Sequence, residues 1–245
     1  MSQKYACSKV IITLIPAILL LTSKSARGQE IDHQFWLNYA ITIPINEKVS
    51  WGGDTGLRGL GSNRDWNQIL VRPTVTYRFK RSFGIAGAMA WLGTFNNGDY
   101  NISEFRIHQD LNLRWPDLGF IQFIYRIRLE QRFFFYEADI PNAFKVRLRG
   151  LIGLETDDIH LFGGQRPIYF QLLFEGFRTV DREEALEVFV NQTRFHAAMG
   201  HRISANFRYE LHYIAQRSRL FNEDGNRAAQ NLYRVRLFHR LPGKK

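Results

Sequence analysis

The sequence predicts an all-β fold, an antiparallel up-and-down transmembrane β-barrel of about 10–12 strands. Three observations predict it. Apolar and polar residues alternate with period two through nearly the whole chain after residue 30. Most alternating segments run for about 10–14 residues; a strand tilted across a bilayer needs about 9–11, against five or six in an ordinary soluble sheet. The more apolar face of these segments carries no charge, although 23% of the chain is charged. A lone Arg or Lys at the bilayer midplane on such a face would cost roughly 2–4 kcal/mol.

Residues 1–28 of the 245 read as a secretory signal peptide. Lys4 and Lys9 precede an uncharged run from Val10 to Thr22 that is too short to span a bilayer as a helix, and Ala26 and Gly28 supply the small residues of a cleavage site. Cys7, the single cysteine, leaves with this segment, which excludes an internal disulfide and a zinc site built on thiolates. Losing Lys4, Lys9, Lys24 and Arg27 lowers the formal net charge from +10 to about +6. The remaining charges are not clustered, so nucleic acid is not an expected partner. Residues 29–245 are then a single barrel domain in the outer membrane of a Gram-negative cell, with outer-membrane lipid and the barrel assembly machinery as its partners.

In the first strand, 32–43, Phe35, Leu37, Tyr39, Ile41 and Ile43 alternate with Gln34, Trp36, Asn38, Ala40 and Thr42. Further strands are expected at 48–58, 67–79, 83–95, 104–115, 120–133, 143–155, 168–177, 188–202, 206–216 and 230–241. Tight turns at Pro44-Ile45-Asn46-Glu47, Lys80-Arg81-Ser82, Pro116-Asp117-Leu118-Gly119 and Ile203-Ser204-Ala205 alternate with polar loops at 59–66, 96–103, 134–142, 178–187 and 217–229. Outer-membrane barrels show this asymmetry, and only the long 156–167 connection breaks it. Phe79, Phe83, Phe95, Trp115, Phe120 and Phe133 stand near strand ends as candidates for interfacial girdles. Pro73, in mid-strand, calls for a bulge because it cannot donate to the ladder. Eleven strands is an odd count where single-chain bacterial barrels have an even one. Two resolutions stand open: a further strand within 156–190, or a 32–43 segment that lies outside the ladder.

The candidate site is the polar face of the middle strands. On 120–133 the side chains of Arg126, Arg128, Glu130 and Arg132 project in one column, flanked by Glu104, Arg106, His108, Asp110 and Arg114 on one side and Lys145, Arg147, Arg149 and Glu155 on the other. These three strands carry more cations than carboxylates. The set reads either as a ladder of cross-strand ion pairs filling the lumen or as a constriction that selects anions. Opposite positions on 83–95 are small, Gly84, Ala86, Ala88 and Ala90, and leave space for water or solute or for the long arginines to pack. No catalytic constellation stands out. His108, His196 and His212 fall on inward faces, but a nucleophile needs a Ser within hydrogen-bond reach, and Ser103 beside His108 is the nearest approach to one. No metal-ligand spacing and no phosphate-cradling glycine motif occurs, so neither a metal nor a cofactor is expected.

The stretch Tyr125-Arg126-Ile127-Arg128-Leu129-Glu130-Gln131-Arg132-Phe133 resembles the uncharacterised family labelled domain of unknown function 2490. Trp36, Arg72-Pro73-x-x-x-Tyr77-Arg78, Phe174-Glu175-x-Phe177 and Asn191-Gln192-x-Arg194 fit the same pattern. The resemblance covers nearly all of the chain after the signal and implies a Gram-negative outer-membrane β-barrel with no assigned activity. The ending Leu241-Pro242-Gly243-Lys244-Lys245 departs from the final aromatic residue usual in substrates of the assembly machinery. The expected function is a non-enzymatic outer-membrane protein: a structural envelope barrel or, in sharpest form, a narrow anion-preferring pore for a small anionic solute. Two alternatives stay open. One is an outer-membrane enzyme acting on lipid or surface polymer through His108 or His212. The other is a soluble periplasmic barrel that binds an apolar ligand, whose inside-out faces would show the same period.

Overall fold

Long alternating segments satisfy their backbone groups only by pairing edge to edge until no edge is left, and in the computed structural model they do so as a closed barrel. The structure describes residues 31–61, 66–96, 101–137, 140–160, 166–180, 192–221 and 227–243. Its strands are β1 (Ile31–Pro44), β2 (Val49–Leu60), β3 (Trp66–Lys80), β4 (Phe83–Asn96), β5 (Ile102–Leu118), β6 (Ile121–Tyr136), β7 (Ala143–Thr156), β8 (Ile168–Thr179), β9 (Gln192–Arg202), β10 (Phe207–Phe221) and β11 (Arg227–Arg240). The expected signal segment 1–28, residues 188–191 of the expected ninth strand, 181–187 of the expected 178–187 loop and 222–226 of the expected 217–229 loop lie outside the described residues, whereas 217–221 and 227–229 extend β10 and β11.

Consecutive strands pair antiparallel, and β1 pairs with β11 in parallel, from Ile31 opposite Ala229 to Thr42 opposite Arg240. This corrects both resolutions of the odd count. The 32–43 segment is inside the ladder, bonded to β2 on one edge and β11 on the other. Among the described residues of 156–190, only β8 and an isolated bridge between Ile159 and Ile168 are added. The reason is geometric: directions alternate round an antiparallel ring, so with eleven strands the first and last run the same way and close in parallel. β1 and β11 consequently both start at the end that carries the longer connections.

Two further expectations change. Pro73 needs no bulge. It faces Gly53, whose φ of 144° lets the chains approach where a Cβ would meet the Arg72 carbonyl oxygen at 2.2 Å. On its other edge the β3–β4 ladder lapses at Arg72 and Pro73 and resumes at Thr74 without a change of register. The Pro116 turn tightens to Gly119 and Phe120, because a register shift after Arg114 carries β5 on to Leu118, opposite Ile121. Gly119 turns there at φ 65°.

The two faces divide as their composition dictates. Outward apolar side chains are exposed, among them Phe35 at 54% and Trp115 at 65%. Phe79 stacks on Phe83 at 5.2 Å and Phe133 lies 4.9 Å from Phe144, aromatic groups near opposite ends of the strands. Polar groups on this face find partners on neighbouring strands: Trp91 Nε1 donates to Ser103 Oγ (2.9 Å), Tyr213 to Asn231 (3.0 Å), and Gln109 pairs with Gln131 (3.3 Å). Tyr39 and His239 meet likewise at 3.0 Å. The inward face buries polar and charged groups instead, with small apolar clusters at Trp36, Ile214 and Leu232 and at Leu70, Ala90 and Leu92.

Tyr169 shows how an inward glycine is used. It pairs directly across β8–β9 with Gly200, over which its ring lies, and its hydroxyl donates to Glu210 Oε1 at 2.7 Å. A Cβ at Gly200 would stand 2.1 Å from that ring. Gly200→Val is therefore expected to displace Tyr169, break its bond to Glu210 and lower stability by about 1–3 kcal/mol. Urea unfolding of the detergent-refolded protein checks this, and an unchanged midpoint would contradict it.

Candidate functional site

The middle strands set the nine sequence-predicted residues on one inward face, where eight of them gather on shared carboxylates. Register sets Asp110 of β5 opposite Arg128 of β6, and Arg128 opposite Arg149 of β7. Arg128 grips Asp110 with Nε and Nη2 at 2.5 and 2.7 Å. Arg147 donates Nε to Glu130 at 2.7 Å, and Arg149 donates Nη1 to the same carboxylate at 3.2 Å. Arg106 and Arg132 both bind Glu104, Arg132 Nε at 2.5 Å. Arg114 alone stands apart, towards the short-turn end, with Glu155 at 2.8 Å and Gln122 at 3.1 Å. Arg128, Arg132 and Arg147 are each 5% exposed or less, and fork-to-carboxylate geometry is what makes such burial tolerable.

Arg126 reaches out of the column. It donates to Glu175 of β8 at 2.6 Å, and Arg149 places Nε and Nη2 on the same carboxylate at 2.7 and 3.0 Å. Glu175, 1% exposed, is thus a hub that a reading confined to three strands omits. Alternation along 168–177 carries the signal, since it sets Glu175 on the face of Gln171 and Phe177. Two more hubs lie elsewhere. Arg72 forks onto Asp54 at 2.7 and 2.9 Å, and Glu210 receives Tyr169, His212 at 2.9 Å and Arg236 at 3.4 Å. Interior rings carry guanidinium groups too: Arg149 and Arg194 lie over Phe177 at 4.6 and 4.7 Å, and Arg208 over Phe238 at 4.1 Å.

The histidines do not assemble a nucleophile. His108, His196 and His212 are all buried inside. Ser103 is not beside His108: five residues along a strand put the two on opposite faces, and Ser103 bonds Trp91 outside. Among the described residues no group of three His, Cys, Asp or Glu is placed to hold a metal.

A cavity of about 520 Å³ remains between these side chains. Its lining reaches from Trp66, Asn96 and Tyr136 near the longer connections to Arg114 and Ile124 near the short turns. A second, of about 290 Å³, lies between Ala86 of the small-residue strand and Arg128 of the column. Not every interior cation is neutralised. Among the described residues Arg58 and Arg234 make no ion pair, and Arg194 approaches only Glu175, at 3.9 Å.

Fold and site define a closed eleven-stranded β-barrel with a charged, ion-paired interior. The family model described as "Protein of unknown function (DUF2490)" matches residues 33–237, and the chain belongs to that family. No curated protein matches it.

Removing a hub carboxylate strands the cations around it. Glu175→Gln leaves Arg126 and Arg149 without their shared counter-charge and is expected to cost about 3–5 kcal/mol. Chemical denaturation in detergent measures it, and a loss below about 1 kcal/mol would deny Glu175 its role.

Proposed function

We propose that this protein is an outer-membrane barrel whose lumen forms a narrow, anion-preferring path, exported by its signal segment and assembled into lipid by the barrel machinery. The division between the two faces carries the reading. Outside, exposed apolar residues and mutually satisfied polar ones suit hydrocarbon, where an unpaired polar group costs several kcal/mol. Inside, cations outnumber carboxylates and a cavity runs along them. Charged rings select ions by sign, and a positive surplus favours anions.

The paired column is the frame of this lumen, and its selectivity belongs to the cations left over. A second reading, a structural envelope barrel with a closed lumen, is favoured by the depth at which Arg128, Arg132 and Arg147 are buried. Planar bilayer recording in a potassium chloride gradient separates the two. The pore reading expects a steady conductance whose reversal potential shows chloride more permeant than potassium. Silence from a folded protein supports the structural reading, and a conductance without anion preference overturns the proposed selectivity.

A further inference from the structure

We propose that the barrel interior holds a binding site for a phosphate dianion, free or as the head of a small phosphomonoester, formed by Arg58, Arg194 and Arg234 around the indole of Trp36. The inference rests on the reading of the interior as an accessible anion-preferring lumen, and it adds the site and the ligand class.

Three strands meet at Trp36. On β11 its direct neighbour in the parallel closing pair is Arg234. On β2 the register shifts between the partners of Phe35 and Leu37, so that Arg58 and Gly59 together oppose Trp36. Gly59, at φ 81°, permits this bulge, and bulges of this kind re-aim side chains beside functional sites. Arg58 lies over the indole at 4.8 Å and Arg194, arriving from β9, at 5.3 Å from the ring centroid. Arg194 is within electrostatic reach of both Arg58 and Arg234.

What distinguishes these three arginines is how they are held. Elsewhere in the interior an arginine is oriented by a carboxylate that also cancels its charge. Here orientation comes from neutral groups: Arg58 Nη1 donates to Gln68 Oε1 at 3.1 Å, Arg194 Nε to Gln216 Oε1 at 2.5 Å and Nη2 to Gln192 Oε1 at 3.4 Å. Arg234 Nη2 meets His212 Nδ1 at 3.2 Å. Glu175, 3.9 Å from Arg194, is already bound by Arg126 and Arg149. Among the described residues Arg58 Nε and Arg234 Nε are buried without a hydrogen-bond partner, and all three arginines line the 520 Å³ cavity.

Like-charged guanidiniums gathered away from water, with no carboxylate hydrogen-bonded to them among the described residues and only the more distant charges of Asp54, Glu175 and Glu210 to offset them, repel one another and lose hydration. A mobile anion relieves both. The planar donor fork matches tetrahedral oxyanions better than a spherical halide. Three positive charges favour a dianion over a monoanion through the Coulomb energy, and the low-dielectric surroundings enlarge that preference.

Isothermal titration of inorganic phosphate into the detergent-refolded full chain tests the site, with glycerol phosphate as a second arm and the chloride current as a third. Saturable binding of one anion per chain is expected, with a saturable block of any chloride current over the same concentrations. Tighter binding of glycerol phosphate than of inorganic phosphate assigns the phosphomonoester, and the reverse order assigns the free ion. Arg58→Gln and Arg234→Gln are each expected to weaken binding at least tenfold, whereas Arg81→Gln, in the exposed β3–β4 turn, leaves it unchanged. Gln68→Glu guards against loss of fold: it gives Arg58 a carboxylate at the atom it already bonds, so it should abolish binding without lowering the unfolding midpoint. Phosphate that binds equally well to Gln68→Glu and Arg234→Gln, or that does not bind the folded protein, overturns the site. A protein that conducts chloride but binds no phosphate loses this site and keeps the pore. One that binds phosphate but never conducts keeps the site and loses the pore.

Discussion

Glu130 and Glu175, each about 1% exposed inside the barrel, are the points on which the interior depends. Arg126, Arg147 and Arg149 converge on them from two strands, and Arg149 touches both. An eleven-stranded ring is too wide to be filled by apolar side chains of ordinary size and too narrow to leave its charges in bulk water. Long cations that reach across and fork onto buried carboxylates meet that constraint. Their planar groups also cover Phe177, Phe134 and Phe238 from the lumen side. Charge inside is thereby structural first, and the proposed anion preference belongs to the charges this frame leaves uncancelled.

Closure follows from the same economy of backbone bonds. Eleven strands leave no free edge only if β1 and β11 join in parallel, and their register runs unbroken over twelve paired positions. It is also where Trp36 and Arg234 become neighbours, so the odd strand count and the least neutralised part of the interior coincide.

Period-two alternation is a property of the strand itself, so all eleven strands, their inward and outward faces and the whole arginine column can be read from the residues. The odd separation of Ser103 from His108 likewise assigns the two to opposite faces. What could not be read was pairing at a distance. Ile31 and Ala229 lie at opposite ends of the chain, and no local pattern says that they meet. Glu175 could be assigned a face but not its partners Arg126 and Arg149, which come from other strands. Arg58 reaches Trp36 through a bulge at Gly59, and a bulge reverses the parity on which any alternation argument runs: beyond it, Leu60 points outward although its number is even.

In a barrel set in lipid, alternate residues of a single strand meet two different solvents. Residues 29–245 contain no cysteine, so single cysteines along β4 carry spin labels without interference in a chain from which Cys7 is removed. Collision rates with oxygen, which concentrates in hydrocarbon, and with a water-soluble nickel chelate are the measurement, made on protein reconstituted in lipid. Labels replacing Ile85, Gly87, Met89 and Trp91 should favour oxygen, and those replacing Gly84, Ala86 and Ala88 the chelate, in strict alternation. Chelate contact at Met89 equal to that at Ala86 would put both faces in water and contradict the account.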